Sequence, residues 1–96
     1  MNQPIYACAL SSKDGEIPAV LELAVGPDEG LKKLKKIAVK HIETVMEGQS
    51  DINEFIIEIQ NANDFESALE AFNHSMSVAY NRLDTAYSAE IVYEKL

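Results

Sequence analysis

Cys8, His41 and His74 are the residues whose types suit nucleophilic or metal-binding chemistry, and the glutamates are those that suit acid–base work. No two of Cys8, His41 and His74 stand at metal-ligand spacing; a zinc site calls for close pairs such as Cys-x₂-Cys or His-x₃-His. Cys8 and His41 can both face a sheet–helix layer, where a thiol beside an imidazole would make a nucleophile pair. The plainer reading is a buried thiol and a hydrogen-bonded boundary histidine. Glu43 and Glu47, like Glu66 and Glu70, lie four apart on one helical face. Such pairs serve acid–base chemistry or bind cations when burial splits their pKa values. Nothing in the sequence buries them, so they read as solvated, with Lys36 and Lys40 a turn away from Glu43 and Glu47.

Gly15, Gly26, Gly30 and Gly48 are isolated, and Gly26-Pro-Asp-Glu-Gly30 has neither the lysine nor the spacing of a phosphate loop. Gly-x-Ser-x-Gly and His-Glu-x-x-His are absent. No catalytic residue, metal site or cofactor site follows from the residues.

Charge says more. The chain of 96 residues carries sixteen acids and eight bases, a formal net charge of −8. Five of the bases are Lys32, Lys33, Lys35, Lys36 and Lys40, so the remainder balances three bases against sixteen acids, or −13. A net anion is repelled by phosphate backbones and by anionic bilayers, so neither nucleic acid nor membrane is an expected partner. The lysines Lys32, Lys33, Lys36 and Lys40 form a secondary basic patch, which reads as a solvated helix face or as a dock for an acidic surface. Cys8 is the only cysteine, which excludes an internal disulfide, and the N-terminus lacks a basic start with a long apolar run. A cytoplasmic location is the expectation.

Several elements must position these groups. Ile5–Leu10 reads as a strand, Asp14-Gly15 as a hairpin turn, and Ile17–Val25 as the returning strand. Ile17, Ala19, Leu21, Leu23 and Val25 alternate on one face. Glu22 lies on the other, with Val20 and Ala24, and is assigned to the outer sheet face. Gly26-Pro-Asp-Glu opens a helix whose apolar positions run from Leu31 to Met46, with Gly48 as its stop. Glu54–Gln60 is predicted as a strand with Phe55, Ile57 and Ile59 on one face and Glu58 on the half-apolar other. Asn63 caps a long helix to Tyr87, with Glu66 completing a capping-box pair. Its stripe of Phe65, Leu69, Phe72, Met76, Ala79, Leu83 and Tyr87 makes it the expected organiser of the core. Its far end overhangs a short sheet and is expected to bend or break near Asn81, or to be covered. Ala89–Leu96 is a last strand.

The expected fold is therefore a single α/β two-layer sandwich of α+β type, ordered ββαβαβ, with a four-stranded mixed sheet and two helices on one face. The expected function is a small, acidic, non-enzymatic protein-binding module. Its most concrete form is an inhibitor or immunity-type protein that occupies a basic surface of a larger partner. Phage and mobile-element anti-defence proteins, CRISPR inhibitors among them, share this profile of size and charge. Glu54, Glu58, Glu66, Glu70, Asp84, Glu90 and Glu94 are the predicted partner contacts. The alternative is a homo-oligomeric (for instance dimeric) structural or assembly protein, in which the lysine helix of one copy meets the acidic surface of the next or outer sheet faces pair, with Tyr80, Leu83 and Tyr87 as candidate contacts between copies. A small-ligand binder or enzyme ranks third.

Overall fold

Alternation of side chains along Ile5–Ser12, Val20–Val25 and Ala89–Lys95 forms three strands, β1, β2 and β3. Three helices stand between the second and third: α1 (Pro27–Val45), α2 (Ile52–Gln60) and α3 (Phe65–Leu83). The structure is a computed structural model that describes residues 3–12, 20–83 and 89–96. The strand order is β2-β1-β3, antiparallel throughout. α1 covers one face of this sheet, with α2 and α3 packed against α1, and the other face carries no element of the described chain.

The expected fold is overturned, with three helices in place of two. The order is ββαααβ rather than ββαβαβ, and the sheet has three antiparallel strands rather than four mixed ones. These errors come from Glu54–Gln60, which is helical. Phe55, Ile57 and Ile59 alternate like a strand, but Ile52, Phe55, Ile56 and Ile59 recur at steps of three and four. That second pattern places one stripe on a helix. Phe55 and Ile59 are buried, whereas Ile57 is 52% exposed.

The organising element is α1, not α3. It lies against all three strands and both other helices. Pro27 occupies its first turn with Asp28 and Glu29, as the sequence suggests, and its stripe of Leu34, Ile37, Ala38, His41 and Ile42 is buried. The chain then turns through Gly48, whose φ of 87° favours a residue without Cβ. α3 runs through Asn81 to Leu83, the last described residue before 84–88, and buries Ala68, Ala71, Phe72, Ser75 and Ala79; the expected stretch on to Tyr87 lies outside the described residues. Its cap is Asp64 rather than Asn63: the Asp64 carboxylate accepts the Ser67 N–H at 2.7 Å.

Cys8, Leu10 and Ile91 supply the sheet's side of the core, and Leu34, Ile42, Met46, Ile59 and Phe72 the helical side. At one end Phe65 lies stacked between Tyr6 (ring centroids 5.0 Å apart) and Tyr93 (4.4 Å), which ties the start of α3 to β1 and β3. Gly30 is what admits this stack: a Cβ there would stand 2.9 Å from Phe65 Cζ. At the other end of α3, Arg82 makes a two-pronged ion pair with Asp51, both contacts 2.8 Å, which holds the start of α2. Among the described residues, no helix is long and apolar enough to cross a membrane.

Candidate functional site

The strand register sorts every sheet residue to one face. Cys8 pairs with Glu22 and Tyr93, and Leu10 pairs with Val20 and Ile91; these point toward the helices. Ala7 pairs with Leu23 and Glu94, and Ala9 with Leu21 and Val92; these point away. β2 is therefore turned opposite to expectation. Leu21, Leu23 and Val25 stand 66%, 57% and 60% exposed on the uncovered face, and Glu22 faces the helical layer.

Glu22 is tolerated there because α1 meets it with two lysines. Lys33 Nζ lies 3.4 Å from one carboxylate oxygen and Lys36 Nζ 3.6 Å from the other. These two ammonium groups hold the Glu22 carboxyl below its usual range. The same contacts account for much of the lysine patch: Lys32 pairs with Glu29 at 3.6 Å, and Lys35 Nζ donates to the Gln60 carbonyl at 2.7 Å. Lys40 makes no ion pair among the described residues. The patch is thus largely matched from within the chain.

The uncovered face has a definite shape. Ala7 and Ala9 on the central strand make a low floor. Leu21, Leu23 and Val25 form an apolar wall along β2. Glu90, Val92 and Glu94 form a mixed wall along β3, with Ile5 closing one end. The walls are two strand spacings apart, about 9–10 Å, close to the diameter of an α-helix. Its five large apolar side chains expose on the order of 500 Å², the upper part of the range for a monomer's largest patch. The charged groups on its described part are Glu90 and Glu94, both acidic.

The predicted acidic contacts separate into two groups on opposite sides of the molecule. Glu90 and Glu94 border the sheet face. Glu54, Glu58, Glu66 and Glu70 are exposed on α2 and α3, where Glu58 and Glu70 line an open groove of about 620 Å³ with Asn61, Asn63, Ser67 and His74. Asp84 and Tyr87 lie outside the described residues, as does the Asp14-Gly15 turn. Of the other predicted contacts between copies, Tyr80 is exposed, but Leu83 is partly buried against the core and offers little free surface.

Cys8 and His41 do not form a pair. The Cys8 thiol is buried and donates to the Gly30 carbonyl at 3.6 Å, and burial pushes its pKa up. His41 is three turns further along α1, about 16 Å from Gly30 at ~1.5 Å per residue. Its ring packs on Phe72 at 5.8 Å, and desolvation pushes its pKa down. Glu43 and Glu47 are exposed. Among the described residues no cluster of three or more His, Cys, Asp or Glu side chains could hold a metal ion. An uncovered, half-apolar sheet face is expected from the sequence, but with Val20, Glu22 and Ala24 on it rather than Leu21, Leu23 and Val25. The alternation of Leu21, Leu23 and Val25 was its signal, and it was assigned to the wrong side. Comparison with protein-family models, with curated proteins and with solved structures finds no match for the chain.

Proposed function

We propose that the chain is a non-enzymatic protein-binding module that docks through its uncovered sheet face. Its partner is a larger protein presenting an apolar ridge flanked by basic side chains. The observation that carries this reading is the row of Leu21, Leu23 and Val25, each more than half exposed on an edge strand. A long apolar edge strand left bare invites aggregation, and natural sheets cover or charge such edges. Covering this patch from both sides removes about 1,000 Å² in total, the lower limit for a specific interface.

Charge decides what kind of partner fits. Glu90 and Glu94 lose hydration when the groove is filled, and basic groups on the incoming surface offset that loss best. A second copy of the same face brings carboxylates and, among the described residues, no lysine or arginine. Pairing of two copies through this face is therefore the weaker reading. The net charge of −8 adds long-range attraction to a basic surface and predicts faster association at low salt. Inhibition by occupying such a surface, of the kind phage and mobile-element anti-defence proteins practise, is the form of this function that size and charge favour by analogy.

The test is affinity capture from the native host with three baits: the wild type, the double variant Leu21→Asp/Leu23→Asp, and the double variant Glu90→Lys/Glu94→Lys. The substituted side chains are exposed, so all three baits are expected to fold. A partner retained by the wild type, lost by the first variant and weakened by the second supports the reading. Equal retention by all three contradicts it. Sedimentation of the free chain across a concentration series separates the homo-oligomer, which predicts self-association abolished by Leu21→Asp/Leu23→Asp.

A further inference from the structure

A second concavity lies on the helical side of the sheet, between the far ends of β1 and β2 and the second half of α1. Its volume is about 350 Å³, at the lower end for small-molecule sites and several times what a water molecule needs. Leu10, Val20 and Ile37 make apolar walls, and His41 lines the interior. Lys36 and Lys40 stand on the rim, one helical turn apart, beside Glu22 and Thr44.

We infer that this cavity binds a small amphiphilic carboxylate, with its apolar body against Leu10, Val20 and Ile37 and its head between Lys36 and Lys40. Three observations select that chemistry. The walls are apolar and open to solvent, so an apolar body gains by entering. The rim has two ammonium groups against one carboxylate, and Glu22 retains Lys33 at 3.4 Å when Lys36 turns to a ligand. Lys40 has no ion-pair partner among the described residues, so engaging it breaks nothing there. His41 is 95% buried with no hydrogen-bond partner for Nε2, and it is neutral near pH 7, so among the described residues the interior holds no cation that would draw the charged head inward. Space for a body of roughly ten non-hydrogen atoms suits a short-chain fatty acid or an arylcarboxylate rather than a long-chain lipid. This site is separate from the uncovered sheet face, and its occupancy does not depend on the proposed partner.

Octanoate, octanol and octylammonium titrated separately into the ¹⁵N-labelled chain test the inference by amide shifts. Saturable octanoate binding is expected at a Kd of about 0.1–3 mM, by the usual efficiency of small ligands. The shifts are expected at residues 36–44, Leu10 and Val20. Lys36→Ala/Lys40→Ala, exposed on the rim, is expected to weaken octanoate at least about fivefold and to leave octanol unchanged. Equal binding of octanoate and octanol, stronger binding of octylammonium, or no saturation by about 10 mM (weaker than the stated efficiency range) overturns the inference. Shifts confined to Ile5, Leu21, Leu23 and Val25 also overturn it, because they mark adsorption to the uncovered face.

Discussion

His41 couples the core to pH. It is buried and its Nε2 lacks a hydrogen-bond partner, so protonating it in the folded state is unfavourable. Burial lowers its pKa below the ordinary 6.5. The unfolded chain therefore binds the proton more tightly, and stability falls as pH drops below about 6.5. Three carboxyls extend the loss at lower pH. Glu22 beside Lys33 and Lys36, Asp51 beside Arg82, and Asp64 at the Ser67 N–H all have lowered values. Their contribution is present above the ordinary carboxyl range and lost as pH falls through the lowered values. Urea unfolding at pH 7.5 and pH 5.0 should show a clear loss at the lower pH. His41→Leu, which removes both the orphaned nitrogen and the titration, should flatten that difference with little cost at pH 7.5. An unchanged pH dependence in His41→Leu would assign it to other groups. Gly30 has a different sensitivity. Gly30→Ala forces a methyl against the Phe65 ring and should cost about 1–3 kcal/mol by overpacking, measured by urea unfolding. Gly48→Ala meets no neighbouring atom, so its cost should be that of the positive φ alone.

At the scale of elements, α2 is where two periodicities overlap in one short segment. Phe55, Ile57 and Ile59 satisfy a strand, while Ile52, Phe55, Ile56 and Ile59 satisfy a helix, and nine residues are too few for either to exclude the other. The packing decides: α2 lies on α1 and α3, remote from the sheet edge a fourth strand would need. Point substitution distinguishes the two. On a strand, Ile57 and Ile59 share a face and cost alike. On this helix Ile59→Ala should cost about 2–5 kcal/mol, and Ile57→Ala well under 1 kcal/mol. Similar losses in urea unfolding would restore the strand. Asp51→Ala should loosen the α2–α3 junction, with a modest fall in Tm that vanishes in high salt, because the pair it breaks with Arg82 is exposed. α1 and α3 were legible in the sequence because each has one helical periodicity and, for α1, a proline start and a glycine stop; β1 was legible as a short apolar run and β3 by its β-branched and aromatic residues. The facing of β2 was not. Alternation shows that Leu21, Leu23 and Val25 share a side but not which side. The polar Glu22 turned inward only because Lys33 and Lys36 arrive from α1 to meet it.

For the whole molecule, the described chain is a half-covered sheet. One face is buried under α1, with α2 and α3 packed on α1. The other is a shallow groove, apolar along β2 and acidic along β3. The acidity legible in the composition matters here through two residues, Glu90 and Glu94, rather than through the whole predicted set. Glu54, Glu58, Glu66 and Glu70 occupy the opposite side and are free to set the long-range field. Reversing Glu66 and Glu70 together should slow association at low salt and leave the dissociation rate nearly unchanged, whereas Leu23→Asp should raise the dissociation rate. Hydroxyl-radical footprinting of the chain, free and bound to its captured partner, tests the central claim most directly. Protection of Ile5, Leu21, Leu23, Val25 and Val92 on binding, with Ile57 and Tyr80 still oxidised, is the expected result. Protection of the α2–α3 side with Leu21 and Leu23 still fully oxidised would contradict it.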